Sequence, residues 1–171
     1  MSILLTTFDT WKPHQPSNSS DDLIAELARR KLLPRHTHLS RKIPVDFQLA
    51  PEKVLSVVEI LQPDLIVCCG MAEKRSRLTV EANGKHQGEI LYTSIPLKPL
   101  VEQTQSTTIS HNTGRFVCNY LYYSVLKYIQ LHQLKTQCLF VHVPPLNVEN
   151  LDIIVRDFST ILKLLQPVAA S

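Results

Sequence analysis

The chain has 171 residues, 44% of them hydrophobic and 19% charged, with a net charge of +3. This composition reads as one soluble globular domain spanning residues 1–171, long enough to bury a sizeable core. The basic residues are scattered apart from Arg29-Arg30-Lys31 and Lys74-Arg75-Ser76-Arg77. No apolar run reaches the roughly 18 residues of a membrane helix, and the N-terminus has no signal-type core, so the expectation is no nucleic acid, no membrane and a cytoplasmic location.

Taken in order, Ser2–Phe8 is an apolar run rich in β-formers and predicts a buried strand. Residues 9–19, with Pro13, Pro16, Ser17, Asn18 and Ser19, predict a loop of a length that often carries function. Ser20-Asp21-Asp22 is expected to cap a helix whose apolar residues Leu23, Ile24, Leu27 and Ala28 recur at helical spacing, with Pro34 as its stop. A second strand is expected at His38–Pro44. Pro51 should open the next helix at its first position, with Val54, Val57, Val58 and Leu61 buried and Pro63 at the end.

Leu65–Gly70 is a continuous apolar run, as expected of a strand covered on both faces. Arg77–Glu81 and Glu89–Thr93 flank Asn83-Gly84 and Gln87-Gly88 in a hairpin-like excursion. Thr107–Ile109 leads into a turn of Ser, Asn, Thr and Gly. A helix leaves that turn with Phe116, Val117, Leu121, Val125 and Ile129 on its apolar face and runs to about His132. Gln137–Val143 is a further strand before Pro144-Pro145, and Glu149–Leu165 is an amphipathic closing helix. The alternation predicts an α/β fold, a three-layer α/β/α domain with a mixed, mostly parallel central sheet.

Four cysteines (Cys68, Cys69, Cys118, Cys138) read as thiols rather than a disulfide framework, and no Cys-x-x-Cys or His-x-x-x-His spacing argues for a metal. Cys118 falls in or near the first turn of its helix, where unpaired N–H groups and the macrodipole can lower a thiol pKa. A cysteine on an apolar helix face is more often a small core residue. Sheets of this class place ligands beyond the carboxyl ends of their strands. Phe8, Gly70, Ser110 and His142 are all predicted at or just past such ends, so Cys118 and His142 can meet at one rim. Glu81, at the end of a strand of its own, is a candidate third group to hold the imidazole. Singly, His142 has a plain account as a loop histidine and Glu81 as a surface carboxylate.

Together these residues resemble the pyroglutamyl peptidase type I (pyrrolidone-carboxylate peptidase) family over roughly the first 145 positions. Thr7-Phe8-Asp9-Thr10-Trp11 resembles the family's Gly-Phe-x-x-Phe run, followed by an Asn-Pro-Ser-like segment at Gln15-Pro16-Ser17-Asn18. Gly70-Met71-Ala72-Glu73-Lys74-Arg75 and Leu78-Thr79-Val80-Glu81 resemble the motif of the catalytic Glu. Gly114-Arg115-Phe116-Val117-Cys118-Asn119 resembles that of the nucleophile, and Phe140-Val141-His142-Val143-Pro144 that of the His. The resemblance implies Cys118 as nucleophile, His142 as general base then acid, and Glu81 as the orienting residue. Phe8, Trp11, Gly70, Met71 and Arg75 are then expected to bind substrate, a small peptide with a blocked N-terminus. No metal or cofactor is implied, and the family often self-associates into homo-oligomers.

Departures lie on the substrate side. Thr7 replaces the glycine before Phe8, Trp11 the second Phe, Ala82 an Arg after the Glu, and Thr113 an Ala before Gly114. The family's long segment after the Glu is cut to about residues 83–88. Two functions therefore stand open on the sequence: a cysteine omega peptidase acting through a thioester, and a weak or inactive relative that serves as a binding protein.

Overall fold

The computed structural model describes residues 1–167. Its elements are β1 (Ile3–Phe8), α1 (Ser19–Arg29), β2 (Thr37–Ile43), α2 (Leu49–Leu61), β3 (Leu65–Met71), β4 (Thr79–Glu81), β5 (Asn83–His86), β6 (Glu89–Tyr92), α3 (Leu97–Glu102), β7 (Thr108–Ser110), α4 (Val117–Leu131), β8 (Gln137–Val143) and α5 (Leu151–Leu164). Six strands form one sheet in the order β2-β1-β3-β8-β4-β7. All neighbours run parallel except β4 against β8, so the sheet is mixed and mostly parallel, as expected.

The continuous apolar runs follow from burial on both faces. Alternate residues of a strand point to opposite sides. Ile3, Leu5, Val67, Cys69, Leu139 and Val141 pack with Leu23, Ile24 and Leu27 of α1 and Ile154, Phe158 and Ile161 of α5. The intervening Leu4, Ile66, Cys68, Cys138 and Phe140 pack with Val54 and Val58 of α2 and Val117, Leu121 and Val125 of α4. The result is the three-layer α/β/α arrangement predicted.

Local chemistry moved several helix boundaries. The cap of α1 is Asn18, in extended backbone, whose Oδ1 accepts from Ser20 N and Ser20 Oγ at 3.0 and 2.7 Å. The expected cap, Ser20-Asp21-Asp22, lies inside the first turn, where the acids suit the macrodipole. The helix ends well before Pro34. Lys31 adopts a left-handed φ of 58°, and Lys31 N and Leu32 N bond back to Ala28 O and Leu27 O, a Schellman closure built without glycine. Pro51 is the third residue of α2 rather than the first, because Asp46 Oδ1 accepts from Gln48 N and Leu49 N, both at 2.8 Å, two residues earlier.

The excursion after Glu81 also differs from expectation. Its two arms are β5 and β6, while β4 joins the main sheet. The connection is Gln87-Gly88, with φ of 47° and 84°, the backbone that a tight two-residue hairpin demands. The hairpin sits on α4: Asn119 Oδ1 accepts from Lys85 N at 2.8 Å, and Asn119 Nδ2 donates to Lys85 O at 2.7 Å. Gly84 makes this contact sterically feasible, since a Cβ there would lie 2.6 Å from Tyr123 N and 2.8 Å from Tyr123 Cα. Gly84→Ala must therefore lift the hairpin off the helix. We expect a loss of about 1–3 kcal/mol in urea unfolding, and an unchanged midpoint would show that the hairpin is free to shift.

Candidate active site

His142 is the penultimate residue of β8, and its register partner on β3 is Gly70. On the other side β4 runs antiparallel, pairing Thr79 with His142 and Glu81 with Phe140. Glu81 thus lies two residues below the rim on a strand pointing away from it, not at the rim as the sequence suggested. It still faces His142, because residues opposite and diagonal across an antiparallel pair share a face. His142 Nδ1 and Glu81 Oε1 are 2.6 Å apart, with Glu81 fully buried and His142 5% exposed. This contact leaves His142 Nε2 as the ring nitrogen directed elsewhere.

Glu81 has further partners. Arg75 Nη1 donates to its Oε1 at 2.5 Å, and Thr113 Oγ1 lies 3.4 Å from its Oε2 while also donating to Asn83 O. Burial would raise this carboxyl, but the bond from His142 and the charge opposite it, the Ser110 hydroxyl and the Arg75 charge together hold it below the usual carboxylate value. Its stabilising contribution is present above about pH 4.5 and is lost as pH falls below that value. Thr113 and Ser110 were not assigned roles from sequence. Thr113 stood out only as a departure, and no local pattern reveals a hydroxyl aimed at a residue 32 positions away.

Cys118 is the second residue of α4, whose N-cap Phe116 has no side-chain cap bond, so the first turn's N–H groups are left unpaired within the helix. Its sulfur presses on β3: a Cβ at Gly70 would stand 2.6 Å from Cys118 Sγ. Gly70 therefore leaves the gap that admits the thiol beside the strand whose neighbour carries His142. Cys118 makes no hydrogen bond to His142 among the described residues. The expected lowering of the thiol pKa does not occur. Burial, with Cys68 and the Glu81 carboxylate adding to it, pushes Cys118 up to about 12.

The predicted substrate residues divide. Trp11, partly exposed, packs on Phe116 at the start of α4 with ring centroids 6.2 Å apart. Its loop is braced: Gln15 Oε1 accepts from Trp11 N and Lys12 N, while Gln15 Nε2 donates to Glu73 Oε1 at 2.9 Å. Phe8 is 2% exposed and belongs to the core beneath the rim. Met71 alternates to the α1 side, where its sulfur meets Ser19 N at 3.4 Å. Arg75 is committed to Glu81, Ser110 Oγ and Asn112 O. Gly70, Cys118, His142 and Glu81 come together with Arg75 bound to the Glu81 carboxylate, Trp11 stands at the same rim, and the Met71 side chain is engaged on the α1 side.

A thiol at a helix start, beside a histidine held by a buried carboxylate in an α/β/α sheet, is the make-up of a thiol hydrolase. A family profile described as Pyroglutamyl peptidase matches residues 1–86 and 85–159, the seam falling in β5. A pyrrolidone-carboxylate peptidase of Vibrio vulnificus is 31% identical over 168 residues, covering 83% of this chain and 77% of the relative. One from Thermoanaerobacter is 27% identical over 178 residues, covering 89% and 86%. Bacillus amyloliquefaciens pyroglutamyl peptidase I superposes with a TM-score of 0.79 at 22% identity over 94% of each chain. Pyrrolidone carboxyl peptidase of Pyrococcus furiosus superposes with a TM-score of 0.77 at 16% identity over 96% and 97%. The chain belongs to the pyroglutamyl peptidase family.

A thiol held near 12 is almost wholly protonated at neutral pH. Iodoacetamide should alkylate Cys118 slowly at pH 7 and about tenfold faster per pH unit up to pH 10, followed by mass spectrometry. A rate that has already levelled off at pH 7 would mean a standing thiolate and contradict the burial argument.

Proposed function

We propose that this chain removes an N-terminal pyroglutamyl residue from peptides, with Cys118 as nucleophile, His142 as proton carrier and Glu81 as the group that holds it. The observation that carries the assignment is the buried Glu81–His142 contact at 2.6 Å, lying beside the one glycine gap into which Cys118 projects. A carboxylate on Nδ1 fixes the tautomer and steadies the imidazolium that forms when Nε2 takes a proton.

The steps follow from these groups. Cys118 Sγ attacks the pyroglutamyl carbonyl carbon as its proton passes to His142 Nε2, so the thiolate forms during attack rather than before it. Unpaired N–H groups of the first turn of α4 are positioned for the oxyanion, where one such donor is typically worth about 3 kcal/mol. The C–N bond then breaks, the proton on His142 passes to the departing amine, and a thioester remains on Cys118. Water gives a proton to His142 Nε2 as its oxygen attacks the thioester carbon; the C–S bond then breaks, that proton passes back to Cys118 Sγ, and pyroglutamate is released. Trp11 and Phe116 offer apolar surface for the uncharged lactam ring. Four free thiols, Cys68, Cys69, Cys118 and Cys138, support a reducing compartment such as the cytoplasm.

Hydrolysis of a pyroglutamyl aminocoumarin amide tests the assignment. Cys118→Ser and His142→Asn are each expected to lower kcat/KM by at least about 10³-fold. A folded wild-type chain that turns over none of this substrate would favour the binding-protein alternative. Trp11→Ala should cost about 1–3 kcal/mol in kcat/KM through weaker capture, while Cys118 alkylation stays unchanged. Unaltered kcat/KM would place Trp11 outside the lactam contact.

A further inference from the structure

The basic run Lys74-Arg75-Ser76-Arg77 follows β3 just past the rim. Lys74 and Arg77 are exposed, while Arg75 is partly buried and turns its guanidinium inward. Its backbone is tied to the strand of the histidine: Ala72 N donates to Val143 O at 2.9 Å, and Arg75 N donates to Ala72 O at 3.0 Å. From there Arg75 Nη1 donates to Glu81 Oε1 at 2.5 Å, the same oxygen that His142 Nδ1 meets at 2.6 Å. Arg75 Nη2 donates to Asn112 O at 3.1 Å, in the turn that leads into α4, with Ser110 Oγ at 3.5 Å. One guanidinium therefore joins the carboxylate that holds His142 to the segment that delivers Cys118.

The two groups on Oε1 differ in kind. A guanidinium keeps its charge in a protein, whereas an imidazole gains and loses its own. A buried carboxylate left without a positive partner is costly. With Arg75 supplying that charge, Arg75 and Glu81 sum to zero and His142 is free to stay neutral, its Nε2 open to the Cys118 proton. Without Arg75 the carboxylate would draw a proton onto His142, and an imidazolium is no base. Around the pair, among the described residues, β3 brings Cys68, α4 brings Cys118 and Tyr122, and β7 with the turn after it brings the Ser110 and Thr113 hydroxyls. None of these can replace the guanidinium charge.

We propose that Arg75 is a positioning residue of the reaction: it holds the Glu81 carboxylate against His142 and carries the charge that keeps the imidazole available as a base. The proposal rests on the pyroglutamyl peptidase assignment above.

The pH profile of kcat/KM on the pyroglutamyl aminocoumarin amide tests it, because the acid limb reports the base of the free enzyme. Losing a positive charge beside an imidazole favours the imidazolium, so Arg75→Met should move that limb up by about one pH unit, the scale of one charge at close range. At the acid end of the profile this is a loss of about tenfold, expected in kcat rather than KM. Arg75→Lys keeps the charge and should return the limb most of the way. In a Glu81→Gln background, Arg75→Met should cost nothing further, since its effect passes through the carboxylate. That double variant leaves no unpaired buried charge, and it reads the coupling even where Arg75→Met alone fails to fold by thermal melting. An acid limb that stays in place in folded Arg75→Met overturns the proposal. So does a raised KM with kcat unchanged, which puts Arg75 on the substrate, or a further loss of kcat in the Glu81→Gln background. Each of these leaves the peptidase assignment standing. A wild-type chain that turns over none of the amide at any pH overturns the assignment, and the role of Arg75 with it.

Discussion

A carboxylate with no solvent exposure is costly unless every oxygen is answered, and Glu81 is such a group. Its partners come from four places: His142 on β8, Arg75 in the loop after β3, Ser110 at the end of β7, and Thr113 in the turn before α4. Satisfying Glu81 therefore fixes those segments relative to one another. The antiparallel sense of β4 belongs to the same constraint, because it turns Glu81 beneath His142 instead of carrying it past the rim. The short edge strand β7, parallel to β4, brings Ser110 into register with Glu81.

The thiol obeys a different balance. A helix start stabilises a charge by about 0.3–1 kcal/mol at an exposed site, less than the roughly 1.4 kcal/mol of one pKa unit. Enclosure beside Gly70, next to an anionic Glu81, outweighs that, and Cys118 rests protonated. The same contact that raises its pKa also aims its sulfur at the strand pair carrying His142. Orientation is obtained at the expense of standing reactivity, and proton transfer becomes part of the attack.

The substrate side is built from loops, and each loop is tied down by its own polar contacts. Asn18 Nδ2 donates to Asp9 O while its Oδ1 caps α1, so one side chain closes both ends of the segment bearing Trp11. The hairpin bearing His86 is bound through Asn119 to the helix that bears Cys118. Ring surface can remain exposed at this rim because the backbone beneath it is fixed by hydrogen bonds.

The sequence by itself determined the layers, since short apolar runs such as Leu65–Gly70, bounded by Pro and Gly and alternating with helical patterns, fit strands covered on both faces, and helical spacing from Phe116 onward placed α4 to within a residue. Ordered motifs likewise singled out Cys118, Glu81 and His142 together as candidates. Helix boundaries were decided by single side chains, Asn18 and Asp46, whose capping depends on backbone angles that composition does not encode. Only the tertiary structure decided the direction of β4, the diversion of Arg75 to Glu81 and of Met71 to the opposite face, and the burial of Phe8. It alone set the sign of the Cys118 shift. Those outcomes depend on which face a side chain takes and what encloses it, and both are properties of residues far apart in the chain.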